Sequence, residues 1–302
     1  MIAAAMSNPH AATSDPANAV PAGQPGAGQL FVVATPIGNR DDLSARAIAT
    51  LCRVPTIACE DTRHSAPLLN AIGSRARLLA LHDHNEQSAS AGLIERLRHG
   101  EDLALISDAG TPLVSDPGYR LVQAAIAAGI RVIPIPGPSA PIAALSAAGL
   151  PTDRFTFEGF LPAKPAARRE QLRGLKDDPR TLIFFEAKHR IVESLQDLAA
   201  VFGADRPAAV ARELSKTFET LLRGNLADLA AQVASDHDQQ LGEFVVLVGG
   251  APALDQAAVR LAEGLRVLAL LKVELPASRA VRLAAEISGA PKNALYAAIA
   301  QK

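Results

Sequence analysis

The chain has 302 residues, room for two domains at about 100 to 200 residues each, and a formal charge of −1 that gives no overall pull toward nucleic acid. Hydrophobic residues make up 49% but aromatics only 4%, with no Trp, so Ala, Leu, Val and Ile must build the core. The two cysteines, Cys52 and Cys59, lack zinc-type spacing, no apolar run approaches the roughly 18 residues of a membrane span, and no basic-then-apolar leader opens the chain. Together these exclude a disulfide scaffold and predict a soluble cytoplasmic protein with reduced, core-filling thiols.

Residues 1–28 are Ala, Pro, Gly, Ser and Asn with nothing to bury, which predicts a disordered tail in which Met6 is an alternative start to Met1. From Leu30, short apolar strands alternate with amphipathic helices: LFVVAT, Leu43 to Leu51, TIACE, Pro67 to Ile72, RLLAL, Gly92 to Leu97, LALIS, Tyr119 to Ala128 and RVIPIP. That rhythm predicts a parallel sheet with crossover helices over residues 29–139. A second alternation follows the Ala-rich helix Ala140 to Ala148, with strands RFTFEG, TLIFFE, AAVARE and GEFVVLVGG and helices Ala166 to Leu175, Ile191 to Phe202 and Leu226 to Ala234. Its more aromatic strands predict a mixed sheet with one packed face over residues 140–251. Residues 252–302 read as helices at about 255–271, 277–287 and 291–301, started at Pro276 and Pro291, with a helix-turn-helix corner at Ile287 to Ala290. The fold class is therefore α/β: two α/β domains and a small C-terminal helical domain.

Neither a dinucleotide G-x-G-x-x-G nor a phosphate-binding G-x-x-x-x-G-K-S/T is present. Instead four strand ends carry unusual loops, TPIGN, CEDTR, SDAGTP and PIPGPS, and in an open α/β sheet ligands bind beyond the carboxyl ends of the strands. Gly110, Gly118 and Gly137 permit close approach, Pro36, Pro112, Pro136 and Pro138 stiffen the loops, and none of these loops holds a lysine. Such a cleft suits a zwitterion bearing ammonium, carboxylate and adenine groups better than a triphosphate. In SDAGTPLVSDPG two turns follow one another where a reversal needs one.

Glu60 and Asp61 end the second strand as adjacent carboxylates beside Thr62 and Arg63. One can face a cleft for acid–base chemistry while the other pairs with Arg63 or caps the next helix, or both can simply organise a turn in which Thr62 is itself a good cap. His82 and His84 in LALHDHNE have no third ligand at a supporting spacing, so no metal is expected; His84 and Asn85 suit RNA contact, and Asn85 also reads as a cap. Between Lys164 and Arg190 eight basic residues stand against four acids, and from Arg260 to Lys302 seven against three. Lys164, Arg168, Arg169, Lys188 and Arg190, with neighbouring phenylalanines, fit phosphate contact and stacking on looped RNA, although those phenylalanines also alternate as core residues would.

Five ordered segments, LFVVATPIGNRDDLSARA, IACEDTRHSAPLL, LALISDAGTPLVSDPGYRLV, VIPIPGPSAPIAALSAAGLPTDRFTFEGFLP and VARELSKTFET, with the C-terminal LPASRAVRLAAEISGAPKNALYAAIAQ, closely resemble the ribosomal RNA small subunit methyltransferase I family. That family is a branch of the tetrapyrrole methylases, the class III S-adenosylmethionine-dependent methyltransferases. The resemblance implies S-adenosylmethionine in a cleft between two α/β domains and, as acceptor, a cytidine 2'-hydroxyl in the decoding region of small-subunit ribosomal RNA within the 30S subunit. By motif position Pro36, Ile37, Gly38, Asp108, Ala109, Gly110, Thr111, Ser115, Asp116, Pro138, Ser139 and Ala140 would meet the cofactor, and strands FTFEGF, IFFEAKHR and GEFVV would close over the adenosine. Asp61 becomes the favoured base or orienter, with Glu60 beside it and Arg63 on a phosphate or carboxylate, and a homodimer is expected. Where this chain has Ala187-Lys188, the family often has Ser-Pro, so the resemblance itself implies no role for Lys188. The alternatives are a tetrapyrrole, other small-molecule or protein methylase on the same scaffold, and a non-catalytic RNA-binding ribosome assembly factor.

Overall fold

A computed structural model describes residues 26–82, 85–252 and 256–300. The expected tail thus lies, but for its last residues, outside the described part of the chain. The first sheet comprises β1 (Leu30–Val33), β2 (Thr56–Cys59), β3 (Arg77–Ala80), β4 (Leu103–Leu105) and β5 (Val132–Ile135), in the order β3-β2-β4-β1-β5 and parallel throughout. Its connections are helices α1 (Ala45–Arg53), α2 (Thr62–Ala71), α3 (Glu86–Arg98) and α4 (Tyr119–Ala127). Phe31, Val33, Ile57 and Ile106 pack with Leu51 and Leu69 of α1 and α2 on one face. Leu30, Leu103 and Leu105 pack with Leu93, Leu97 and Leu121 of α3 and α4 on the other. Burial on both faces explains strands that are apolar runs without alternation.

The neighbours β1 and β4 send their chains to helices on opposite faces, which makes their carboxyl ends the switch point of the sheet, where open α/β sheets bind ligands.

The second sheet has strands β6 (Phe155–Phe160), β7 (Thr181–Ala187), β8 (Pro207–Arg212), β9 (Thr220–Asn225) and β10 (Glu243–Val248), ordered β6-β7-β10-β8-β9. Only β6 and β7 run parallel, which makes the sheet mixed as expected. Helices α6 (Pro165–Leu175), α7 (Ile191–Phe202) and α8 (Leu226–Ser235) cover one face with a large core around Phe184, Leu195 and Val246. The other face is packed too: α5 (Ala140–Ala148) lies on Ile183, Ala209 and Leu247, so the single packed face expected from the sequence is corrected to two.

Helices α9 (Gln256–Leu271), α10 (Ala277–Ser288) and α11 (Lys292–Ala300) form a separate core around Leu268, Val281 and Leu295. Gly289, at φ +69°, ends α10 in the left-handed cap that turns the chain into α11. Among the described residues no helix is long and apolar enough to cross a membrane.

Local differences from expectation have local causes. Helix α2 begins at Thr62 because Asp61, not Thr62, is its N-cap, and Pro67 lies inside it. Strand β9 went unforeseen because TLLRGN carries Arg and Gly and sits at the sheet edge, where its burial is partial.

Candidate functional site

A cleft of about 630 Å³ opens between the two sheets, within the range of small-molecule sites. Its first-domain wall contains Ile37, Asp108, Ala109, Gly110, Thr111, Ser115 and Asp116, and Ser139 and Ala140 join it from the linker into α5. Pro36, Gly38 and Pro138 are not on that wall. Gly38 lies under the second domain instead, where a Cβ would stand 2.4 Å from Lys216 Cγ and 2.9 Å from the Leu214 carbonyl. Close approach between domains accounts for this glycine. The opposite wall includes Phe160, Phe185 to His189, Ala211, Glu213 and Gly242 to Val245, which brings in all three expected strands. Ala211 and Glu213 went unassigned in the sequence, although VARELSKTFET carries them.

The two successive turns have separate anchors. The first is stitched to the end of β1: Thr35 N donates to the Gly110 carbonyl at 2.8 Å and Gly110 N to the Thr35 carbonyl at 3.1 Å. Thr111 Oγ1 donates to the Pro138 carbonyl at 2.9 Å, tying SDAGTP to PGPS. The second turn is held from α3, where the buried Glu86 carboxylate accepts from Gly118 N at 3.0 Å and Arg120 N at 2.7 Å. A carboxylate at the start of α4 also complements its dipole. Between the anchors Leu113 and Ser115 sit at φ +72° and +67°, strain that persists only where the surroundings enforce it.

Carboxylates dominate the charge of the walls. Asp108, Asp116, Glu186, Glu213 and Glu243 face Lys188 and His189. Lys216 bridges Glu213 at 2.9 Å and Glu243 at 3.0 Å. Burial would raise the Glu213 carboxyl, but hydrogen bonds from Lys216 and the backbone at Glu243 hold it below its ordinary value. Residues 213–219 form a strap between the domains, since the Ser215 hydroxyl also bonds the Asp42 carboxylate. Glu186 is buried and engaged by Arg190 at 2.7 Å, by the Ser194 hydroxyl and by Ala187 N.

At the end of β2, Asp61 caps α2 through Arg63 N at 2.8 Å and grips the Arg63 side chain with both oxygens, at 3.2 and 2.8 Å. Its own N–H donates to Asp108 at 3.2 Å, which links EDTR to the cleft wall. The side-chain and backbone hydrogen bonds from Arg63 lower the Asp61 carboxyl to about 2, far below the pH at which a general base works best. Burial pushes the neighbouring Cys59 thiol up to about 11, which keeps it inert.

The basic residues divide. Lys164 and Lys188 are exposed, and Lys188 reaches the cleft. Arg168 is corrected from a surface contact to a core residue: its side chain is 1% exposed and bonds Asp197 at 2.6 Å and Glu193 at 3.3 Å. Arg190 also points inward, to Glu186 and the Leu161 carbonyl, while Arg169 stays half exposed although it shares Asp197. Asn85 stands at the cap position of α3 without capping it, its amide engaged by His82 N and the Ala80 carbonyl. His84 lies outside the described residues. Among the described residues no group of three or more His, Cys, Asp or Glu side chains is placed to hold a metal ion.

Residues 29–230 match the family described as Tetrapyrrole (Corrin/Porphyrin) Methylases, and residues 258–302 the RsmI C-terminal HTH domain. The ribosomal RNA small subunit methyltransferase I of Xylella fastidiosa (strain Temecula1) is 61% identical over 269 residues, covering 89% of this chain and 98% of that protein. Its counterpart in Pseudomonas aeruginosa (strain PAO1) is 59% identical over 270 residues, covering 89% and 96%. Among solved structures, a uroporphyrin-III C-methyltransferase from Thermus thermophilus in complex with S-adenosyl homocysteine shares the fold at TM-score 0.51 and 18% identity, covering 73% of this chain and 97% of that one. Sequence, two-sheet architecture and C-terminal helices agree: the chain belongs to the ribosomal RNA small subunit methyltransferase I family, within the tetrapyrrole methylases.

Proposed function

We propose that this protein transfers a methyl group from S-adenosylmethionine to the ribose 2'-hydroxyl of a cytidine in the decoding region of small-subunit ribosomal RNA, acting on the 30S subunit in the cytoplasm. The observation that carries this reading is the carboxylate-rich interdomain cleft, walled by motif loops of a family whose named members act on small-subunit ribosomal RNA.

The residues present fit the cofactor. Its sulfonium and ammonium groups are cationic, and Asp108 and Asp116 offer matching charge on the wall built by the two anchored turns. Peptide groups of the Gly110 and Ser139 loops are stiff before any ligand arrives, which reduces the ordering needed on binding. When bound, S-adenosylmethionine supplies a methyl group already activated by its positive sulfur. The chain's own task is then mostly to hold the hydroxyl in place, which is worth several kcal/mol of barrier, about 7–11 in well-oriented systems.

Asp61 serves as orienter rather than base. With its proton affinity so low, its work is to hold the exposed Arg63 guanidinium ready for a backbone phosphate of the RNA. Lys164, Lys188 and Arg169 extend the same phosphate contact. Asp61→Asn is expected to raise KM for 30S subunits about 10- to 100-fold, the worth of one charge-assisted hydrogen bond. Affinity for S-adenosylmethionine stays unchanged, and so does the shape of the pH–rate profile from about pH 6 to 9, because a carboxyl near 2 does not titrate there. A loss confined to kcat would instead make Asp61 the base, and an equal loss of cofactor affinity would make it structural.

The substrate assignment is tested by mapping ribose methylation on 30S subunits from a deletion strain, before and after incubation with the protein and S-adenosylmethionine. The cytidine is expected to be unmethylated without the protein and methylated after incubation. Full 2'-O-methylation in the deletion strain would remove the assignment, and absence of cofactor binding by titration would favour a non-catalytic assembly factor. A homodimer is part of the proposal; sedimentation velocity over a range of concentrations checks it, and a monomer throughout would remove it.

A further inference from the structure

Strand β6 lies at the edge of the second sheet, and its pairing with β7 slips by one residue between Phe157 and Gly159. In an unbroken strand Phe157 and Phe160, three residues apart, would project from opposite faces. Here both rings meet Phe185, at centroid distances of 4.9 Å edge-on and 5.4 Å tilted. The bulge is the cause: Gly159 at φ +67° absorbs the extra residue and turns Phe160 onto the face of Phe157. Ser115 of the first domain abuts the same bulge, 3.5 Å from where a Gly159 Cβ would be.

Phe160 is aimed into the cleft and yet not buried there. It stays 54% exposed, whereas Phe184 in the adjoining strand is fully buried. A bulge that re-aims a large apolar ring into water, backed by a second ring and in the same cleft as the exposed Lys188, is built for something to lie on it. The acceptor nucleotide has the matching chemistry. An acceptor nucleotide drawn out of the RNA stack as its ribose enters the cleft has a freed π-face, and such a face is commonly covered by a protein aromatic.

We propose that Phe160, supported by Phe185 and Phe157, is the stacking platform for the unstacked base of the acceptor nucleotide, with Lys188 on an adjoining phosphate. This rests on the RNA-methylating reading above and adds to it the residue that receives the base.

The test compares wild type, Phe160→Ala, Phe160→Tyr and Lys188→Ala in methyl transfer to 30S subunits, alongside titration with S-adenosylmethionine. Phe160→Ala is expected to lose roughly 5- to 150-fold in kcat/KM, the equivalent of one stacked base, at unchanged cofactor affinity. Phe160→Tyr restores the rate because it keeps the ring, and Lys188→Ala weakens transfer more steeply as salt is lowered. Wild-type rates for Phe160→Ala would overturn the proposal. So would a parallel fall in cofactor affinity, which would place the ring on the adenine, or conversion of a dimer to monomers, which would make it a contact between copies. A short single-stranded oligoribonucleotide carrying a fluorescent cytidine analogue separates this idea from the functional reading. If the wild type methylates nothing yet quenches the analogue in a Phe160-dependent way, the platform stands and the reaction assignment falls; if quenching does not need Phe160, the platform falls.

Discussion

Replacing Asp197 with alanine is expected to lower the unfolding free energy by about 3–5 kcal/mol, the cost of leaving a buried charge without its partner. Arg168 and Asp197 have side chains 1% and 5% exposed and meet at 2.6 Å. Glu193, the other partner of Arg168, is 64% exposed at 3.3 Å and cannot compensate, and Arg168 Nη1 already has no hydrogen-bond partner. Replacing both groups with apolar residues of similar size, Arg168→Met with Asp197→Leu, should be close to neutral, since no charge is then stranded. Urea denaturation of the single and double variants checks this, and a loss below about 1 kcal/mol for Asp197→Ala would mean that water reaches the pair.

The same pair predicts a pH dependence. Burial alone would raise the Asp197 carboxyl, but hydrogen bonds from Arg169 and Arg168 outweigh it and hold the group below its ordinary value. A carboxyl depressed by folding adds stability that is fully present above its unfolded pKa, near 4, and is lost as pH falls through the lower folded value. The gap between wild type and Asp197→Ala should therefore be widest at neutral pH and close on acidification. Because Arg168 acts inside the core, the apolar double variant should also keep its affinity for RNA.

Arg168 illustrates what the sequence could and could not reveal. The eight basic residues between Lys164 and Arg190 read as one charged surface, yet Arg168 stands four and seven positions before Leu172 and Leu175, on the apolar stripe of α6. That spacing was the available signal. The helices Ala140–Ala148 and Ile191–Phe202 lie where expected because Pro138 and Gly149 bracket the first, and a helical apolar period that stops at Gly203 marks the second. The strand-end loops were legible for the same reason, since Gly and Pro mark backbone that must do something special. The role of Phe160 was not, because period-two reading assumes an unbroken strand and the bulge at Gly159 reverses its phase. The choice between Asp61 and Thr62 as cap was open too: both residues cap well, and Asp61 prevails while also gripping Arg63, a side-chain contact without a sequence period.

Gly110→Val is expected to weaken S-adenosylmethionine binding by roughly 5- to 150-fold while the protein remains folded, the equivalent of about 1–3 kcal/mol of backbone strain. Gly110 sits at φ +83°, a conformation that a β-branched residue adopts with difficulty, and a Cβ there would stand 3.2 Å from Ile37 Cγ2 and 3.7 Å from the Pro138 carbonyl. Both neighbours belong to loops that build the cleft wall, so relief of the strain must displace the wall. The displacement cannot dissipate locally, because Gly110 is paired to Thr35 in both directions and Thr111 is tied to Pro138. The strands beneath keep their own ladder and their cores on both faces, which is why the loss should appear in binding more than in folding. Thermal unfolding with and without ligand separates the two. Wild type gains RT ln(1 + [L]/Kd), about 2.7 kcal/mol at a hundredfold excess over Kd, and Gly110→Val should lose about 0.9 to 2.4 kcal/mol of that gain at the same concentration. An equal ligand-induced rise in Tm for both proteins would mean that the first of the two turns does not touch the cofactor, and the site would then have to be rebuilt around Ser115, Asp116 and the second-domain wall.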